Sequence, residues 1–412
     1  MDITFIEPDF YKDFACIAEK CRYSCCDHPW RIVVDKKTYK MYKSLRNPRE
    51  LAERLQSSDL YRNPKSENDD DYGIFRMISH KDKVGKTPCA FLNEKGLCDI
   101  QLALGGDKLC HTCREYPREY HLYGDNIVEK TLFPDCEAVL ELLYKHTEPI
   151  RFINYPEVLS NNIMNKMDIK NKLGQEHRYY ENYLDLKAVG LAILQDREYC
   201  FEDRMVHLAV FCHKLDELTN KNADADIDAF CEEFIALLVN RSFEKLTEQT
   251  PNYKIQMLFA SNAISLFGVG TTFTEDGKIE IYNTNITKED DKKSCEEYYK
   301  GYIENYKVYM ADKQSFLENL MVLTFHNTLM PLTMETASES FYAFALNYIM
   351  LRCLISGYMG ERKELSYNEL IDMCAFLERG TMHDYKYWEK SMEFLKINKM
   401  DNLAYIIMLL KS

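Results

Sequence analysis

A chain of 412 residues, 46% of them hydrophobic, is too long for one small core and has enough apolar material for two or three packed units. Its formal charge of −14 disfavours nonspecific nucleic-acid binding, which works by neutralising phosphates. The acidity is uneven: residues 1–150 carry 23 Lys+Arg against 26 Asp+Glu, a balance of −3, while the remainder carries 29 against 40, a balance of −11. An acidic body leans toward basic partners, although a mildly acidic surface is also an ordinary route to solubility.

The chain opens on Met1-Asp2-Ile3-Thr4-Phe5 without a basic stretch followed by an apolar one, so neither secretion nor import is signalled and a cytoplasmic protein is the expectation. Phe5, Phe10, Tyr11 and Phe14 form an aromatic segment expected to pack beneath the cysteines that follow. Arg31-Ile32-Val33-Val34 reads as a short strand, and Asp35, three residues before Thr38, as the N-cap of a helix that ends near Asn47-Pro48. Residues 57–72 are polar, with turn residues and no periodicity, and read as an exposed loop. Gly105-Gly106-Asp107 is a turn, and Pro117 should stop any helix begun at Cys110. Residues 120–131 suggest a strand or hairpin turning at Gly124-Asp125-Asn126, and Pro134-Asp135 opens a helix with Val139, Leu142 and Leu143 on one face.

From about residue 155 onward apolar residues recur at helical spacing, as in 184–194, 205–218, 230–246, 255–267, 316–323, 341–354, 370–377 and 403–410. The most apolar of these contains Asn347 and Arg352, which a bilayer centre would penalise, so a buried helix is expected and no membrane partner. Gly268-Val269-Gly270, with the Thr-rich residues up to Asn283, interrupts the pattern as a loop or hairpin. It lacks the third glycine and following helix of a dinucleotide-binding turn. The expected fold is mainly α: a small Cys-rich α+β domain at 1–150 that holds a metal cluster, then a larger all-helical domain at 151–412 that binds the substrate.

Nine of the fifteen cysteines, Cys16, Cys21, Cys25, Cys26, Cys89, Cys98, Cys110, Cys113 and Cys136, fall in the first third of the chain. Disulfides would need an oxidising compartment and would leave one thiol over; inert buried cysteines occur singly rather than in such a group. Metal ligation remains, since thiolates can converge from short loops onto one centre. Zinc favours two tidy pairs, whereas the adjacent Cys25-Cys26 suits the irregular spacing of an iron–sulfur centre better; zinc stays open as the alternative metal. Cys21-x3-Cys25-Cys26 is not the C-x3-C-x2-C spacing of radical enzymes that cleave S-adenosylmethionine. His111, inside the C-x2-C pair, is expected to lie exposed on the knuckle, and Trp30 and Tyr116-Pro117-Arg118 adjoin the thiols as possible supports.

Three blocks carry a resemblance: Phe14-x-Cys16-x4-Cys21-x3-Cys25-Cys26-x3-Trp30; Cys89-x-Phe91-Leu92 with Gly96-Leu97-Cys98; and Leu109-Cys110-x2-Cys113-x2-Tyr116-Pro117-Arg118. Over residues 10–140 the chain resembles the flagellin lysine-N-methylase family (FliB), and its front part is similar to the YkgJ-type cysteine-cluster proteins described as zinc- or iron-chelating. Asp135-Cys136-Glu137 departs from the pattern, which would have proline after the cysteine, and sets Cys136 apart as a ligand. The resemblance implies transfer of a methyl group from S-adenosylmethionine to surface lysines of flagellin, by an enzyme carrying an iron–sulfur cluster, expected as 4Fe-4S. A metal-binding protein without transferase activity is the alternative. Neither a catalytic base nor a donor-binding residue can be picked from the 29 tyrosines or the glycine turns.

Overall fold

The computed structural model describes residues 3–22, 24–27, 30–78, 87–157, 166–173, 177–243, 248–267, 271–273, 279–281, 292–362, 364–383 and 386–411. Within 261–298 and 360–362 only backbone is described. Gly268-Val269-Gly270 therefore lies outside the described residues. The chain divides into two compact units: Met1–Val139 with Arg151–Ile169, and Leu140–Ile150 with Lys170–Ser412. The division is thus interleaved, and no single cut at residue 150 separates the units.

The first unit contains, in chain order, β1 (Ile3–Pro8), β2 (Val33–Val34), α1 (Lys36–Ser44), α2 (Arg49–Gln56), β3 (Leu60–Arg62), β4 (Gly73–Phe75), α3 (Asp99–Leu104), α4 (His111–Glu115), β5 (Arg118–Tyr123), β6 (Ile127–Leu132), the start of α5 (Glu137–Lys145), β7 (Phe152–Glu157) and β8 (Lys166–Asp168). One five-stranded sheet has the order β7-β1-β6-β5-β8 and a three-stranded sheet the order β2-β4-β3. β1 runs parallel to β6, with Phe5 opposite Val128, and antiparallel to β7, with Phe5 opposite Tyr155. Of the opening aromatics, Phe5 lies in β1 and packs against Tyr120 and Val128, while Phe10, Tyr11 and Phe14 follow it in a buried turn.

Local chemistry explains the elements that the chain announces. Asp35 Oδ1 accepts from the Thr38 amide at 2.8 Å and starts α1. Gly124, at φ +57°, makes the turn between β5 and β6. α2, directly after Pro48, and the short strands β3 and β4 within and after the polar loop are further elements that periodicity alone does not reveal. β7 and β8 also occupy a region expected to be helical; they exist because they pair with β1 and β5, far away in sequence.

The second unit takes in the rest of α5, then α6 (Ile169–Leu173) from Lys170 onward, and continues with α7 (Tyr183–Leu194), α8 (Phe201–Lys221), α9 (Ile227–Val239), α10 (Tyr253–Phe267), a hairpin of β9 (Thr271–Phe273) and β10 (Ile279–Ile281), α11 (Lys292–Met310), α12 (Gln314–Asn327), α13 (Ala337–Arg362), α14 (Tyr367–His383), α15 (Tyr387–Ile397) and α16 (Leu403–Leu410). The chain is mainly α, but this unit is not all-helical, because Thr271 pairs with Ile281 in the hairpin. α13 is its central helix, packed against α8, α11, α14, α15 and α16. Its buried Asn347 and Arg352 find partners inside: Asn347 Nδ2 donates to Glu378 Oε1 at 2.9 Å, and Arg352 donates to the Leu409 and Leu410 carbonyls at the end of α16. Among the described residues no helix is long and apolar enough to cross a membrane.

Candidate functional site

Cys89 and Cys110 are buried in the core that β2, β4, α1 and α2 build with Val34, Tyr42, Leu55, Phe75 and Phe91, and Cys26, Cys98 and Cys113 pack against it. Three short loops deliver these five thiols. Cys89 donates its backbone N–H to the Cys26 carbonyl at 2.7 Å, so the second block is stitched to the first. Asn93 organises the turn between Cys89 and Cys98: its Oδ1 accepts from the Lys95 and Leu97 amides at 3.0 and 3.1 Å, and Gly96 supplies the left-handed residue at φ +74°. Arg54 then pins the loop, with Nη1 on Asp99 Oδ2 at 2.6 Å and its guanidinium over the Phe91 ring. The third loop is held by Asp35, whose Oδ2 accepts from the His111 amide at 3.3 Å, and by Thr112, whose hydroxyl donates to the Val33 carbonyl at 3.0 Å.

The other four cysteines, Cys16, Cys21, Cys25 and Cys136, stand outside that core cluster, although Cys25 is hydrogen-bonded to Cys26. At Cys25 the neighbouring Cys26 and burial dominate, and Cys136 and Cys16 add only weaker electrostatic effects. Arg22 reaches across to Glu137 with its backbone amide at 2.6 Å and its Nε at 2.8 Å, which holds the Cys21–Cys26 loop against the head of α5. The Trp30 indole donates to the Cys25 carbonyl at 2.7 Å, its ring meets that of Tyr116 at 6.0 Å, and Tyr116 donates to Asp135 Oδ2 at 2.8 Å. The expected supports Trp30 and Tyr116 thus brace the Cys25 loop, while Arg118 lies over the Phe14 and Tyr11 rings. Cys21 is half-buried and closes the 3-10 turn Ala18–Lys20.

The electrostatics follow from burial and from thiol pairing. Cys25 donates to Cys26; that bond, with burial, holds the Cys25 thiol well up, and the same bond pulls the Cys26 thiol down against burial. Cys113 donates likewise to Cys110 and is held up. Burial pushes Cys89 and Cys136 up to about 12 and Cys98 up to about 11. The Ile100 and Gln101 amides at the head of α3 oppose that rise at Cys98, and the Ala138 and Val139 amides oppose it at Cys136. His111 is buried rather than exposed on the knuckle; its Nδ1 faces Arg114 Nη2 at 3.3 Å, and burial pushes the imidazole down.

The donor chemistry fits a thiophilic centre: five sulfurs gathered along one apolar wall are soft ligands that a metal would deprotonate. As placed, no group of three or more His, Cys, Asp or Glu among the described residues stands close enough to share one ion. The thiols share a wall and not a finished coordination shell.

The helical unit holds a different polar centre. Tyr348 donates to Glu202 Oε1 at 3.0 Å, Arg352 lies over the Tyr348 ring at 5.6 Å, and Tyr299, Tyr306 and Cys353 interact with the same buried charges. Burial pushes the Tyr306 and Tyr348 phenols well up. These residues could not be singled out in the sequence, because a buried tyrosine and a packing tyrosine look alike until their neighbours are known.

Residues 188–409, from α7 into α16, match the family described as the FliB lysine N-methylase C-terminal domain. That stretch is more than half of the chain. The chain belongs to this family. Over 159 residues, 39% of the chain, it is 31% identical to proteins named lysine-N-methylase from Salmonella choleraesuis (strain SC-B67) and Salmonella typhimurium (strain LT2). It is 29% identical, again over 159 residues, to the flagellar biosynthetic protein FliU of Salmonella muenchen, covering 82% of that protein. The match spans 35% of the length of each lysine-N-methylase. No solved structure matches the chain.

Proposed function

We propose that this member of the FliB lysine N-methylase family is an S-adenosylmethionine-dependent protein lysine N-methyltransferase that acts on flagellin and carries an iron–sulfur cluster. The observation that carries the reading is the match of residues 188–409 to the lysine N-methylase C-terminal domain. The names of the relatives support lysine methylation, and the flagellar name of one of them supports a flagellar protein substrate. In such a transfer a deprotonated lysine amine attacks the sulfonium methyl, the carbon–sulfur bond breaks, and the thioether leaves. The protein must take up the ammonium proton and align nucleophile and methyl.

The cluster assignment draws on the five gathered thiols, Cys26, Cys89, Cys98, Cys110 and Cys113. A bound iron–sulfur cluster would supply a thiolate-ligated redox centre there. Full-length protein prepared anaerobically, with flagellin and S-adenosylmethionine, should add methyl groups to flagellin lysines, read by peptide mass spectrometry. No mass gain with the metal centre intact would overturn the reading. Calorimetry with S-adenosylmethionine separates it from the alternative: a metal-binding protein without transferase activity takes up no methyl donor.

A further inference from the structure

One face of the five-stranded sheet holds charged groups among aromatic rings. The register sets Phe5 opposite Tyr155 and Glu7 opposite Ile153. Side chains two apart along a strand share a face, so Ile153, Tyr155 and Glu157 of β7 stand beside Phe5 and Glu7 of β1. Lys130 of β6 lies among them, over the Phe5, Tyr155 and Tyr11 rings at 4.6, 5.0 and 5.8 Å. Its Nζ is 3.3 Å from both Glu7 Oε2 and Glu157 Oε2. Lys12, in the 3-10 turn after β1, brings a second ammonium from outside. Its side chain is 75% exposed, and its Nζ lies 3.4 Å from Glu7 Oε1 and 5.1 Å from the centre of the Tyr155 ring. We propose that Glu7 Oε1 and the Tyr155 ring form a receiving site for a lysine side chain of the protein substrate, and that Lys12 holds this site until the incoming lysine displaces it.

The chemistry of the site selects an ammonium. Glu7 is buried, and a buried carboxylate demands cations or hydrogen-bond donors. Its Oε2 is taken by the Tyr155 hydroxyl at 2.6 Å and by Lys130, which leaves Oε1 turned toward the Lys12 ammonium. A single oxygen suits a point-like ammonium, whereas the fork of a guanidinium is matched by two. The Tyr155 ring attracts the same cation. Ile153, 46% exposed on the same face, offers apolar surface to the methylene stem of a lysine. The two resident lysines differ in how firmly they are held. Lys130 is only 13% exposed, enclosed by three rings and two carboxylates, and is part of the wall. Lys12 makes one long ion pair at the surface, which contributes little and is readily exchanged. With Lys12 turned away, Lys130 alone faces the carboxylates of Glu7 and Glu157. That deficit, on a chain of net charge −14, attracts a basic side chain.

The identity of the partner rests on the methyltransferase reading, but the site is tested without it. Calorimetry measures the binding of an amidated tetralysine peptide to the full-length protein and to its Lys12→Ala, Glu157→Lys and Lys37→Ala variants. Flagellin methylation by the unmutated chain is followed separately by peptide mass spectrometry. Lys12→Ala should bind tetralysine about threefold more tightly, the size of one exposed ion pair, and Glu157→Lys about threefold more weakly. Lys37→Ala removes the same charge from an exposed position of α1 and should leave the affinity unchanged. Tetralysine acetylated on its side chains should gain nothing from Lys12→Ala. Equal affinity in Lys12→Ala and the unmutated chain overturns the proposal, as does an equal gain in Lys37→Ala, which would make the effect one of net charge alone. If tetralysine responds as expected while flagellin gains no methyl groups, the receiving site stands and the methyltransferase reading fails. Methylated flagellin with a Lys12→Ala variant that binds tetralysine no better gives the reverse.

Discussion

Glu137, buried at the head of α5, receives both the backbone amide and the guanidinium of Arg22, at 2.6 and 2.8 Å. The two residues lie 115 positions apart, and their pairing ties the first cysteine loop to the helix that follows Cys136.

The first prediction concerns that clamp. Glu137→Ala removes these two hydrogen bonds to a charged acceptor and the ion pair with a partly buried guanidinium. A loss of about 2 kcal/mol is expected, since bonds to charged groups contribute roughly 1.5–3 kcal/mol each and Arg22 can recover some solvation. Glu137→Gln should lose less, because its carbonyl oxygen still accepts one bond. Urea unfolding of both variants measures the difference, and equal stability to the unmutated protein would deny the clamp its role.

Burial of thiols gives a pH dependence to the metal-free protein. Cys89 and Cys136 are pushed up to about 12 and Cys98 to about 11, above the ordinary thiol value of 9.0. Between these limits the unfolded chain has lost protons that the folded chain keeps, so stability is fully present below pH 9 and falls as pH rises toward 12. The slope should reach up to ~1.4 kcal/mol per pH unit for each thiol. With the proposed metal bound, Cys89 and Cys98 would be held as thiolates and their share of this component should vanish. Urea midpoints at pH 8 and 10, with and without metal, check it; an identical alkaline decline in both forms would contradict the argument.

What could be read from the sequence is what local chemistry decides. Asp35 at the start of α1, Gly124 in the β5–β6 turn, and Asn347 and Arg352 as marks of a buried helix are all settled by residues close in sequence or by the cost of a charge in lipid. Pairing across long separations was not legible: β1 exists as a strand because β6 and β7 flank it. The meeting of Cys89 with the Cys26 carbonyl is likewise a pairing that sequence spacing does not locate. His111 looked like an exposed knuckle residue because nothing nearby in sequence tells of Asp35 folding over its amide.

Arg352 offers a test of the helical unit. It is fully buried, and its two terminal nitrogens serve the Leu409 and Leu410 carbonyls, which the end of α16 cannot pair within the helix. Arg352→Leu keeps the volume apolar but strands these carbonyls, at an expected cost of about 3 kcal/mol. Arg352→Lys keeps the charge without the two-pronged geometry and should fall between. Differential unfolding of the two variants, with helix content followed by circular dichroism, decides it. A stable Arg352→Leu protein would mean that the carbonyls find other donors.

Gly190 in α7 faces the ring of Phe325 in α12 so closely that an added Cβ would run into its Cζ and lie 3.2 and 3.3 Å from Cε2 and Cε1. Two opposed effects meet in Gly190→Ala. Alanine favours the helix by about 0.8–1 kcal/mol, while forcing a methyl against a buried aromatic ring costs roughly 1–3 kcal/mol. Phe325 is only 1% exposed and sits edge-on to Phe344 at 5.7 Å, so the ring has little room to retreat and overpacking should win, by about 1 kcal/mol net. Phe325→Leu alone should destabilise through its cavity. Combined with Gly190→Ala it should cost less than the sum of the two single changes, because the methyl then fills space that the ring vacated. A double-mutant cycle in urea measures that coupling; strict additivity would show that α7 and α12 do not meet at this point.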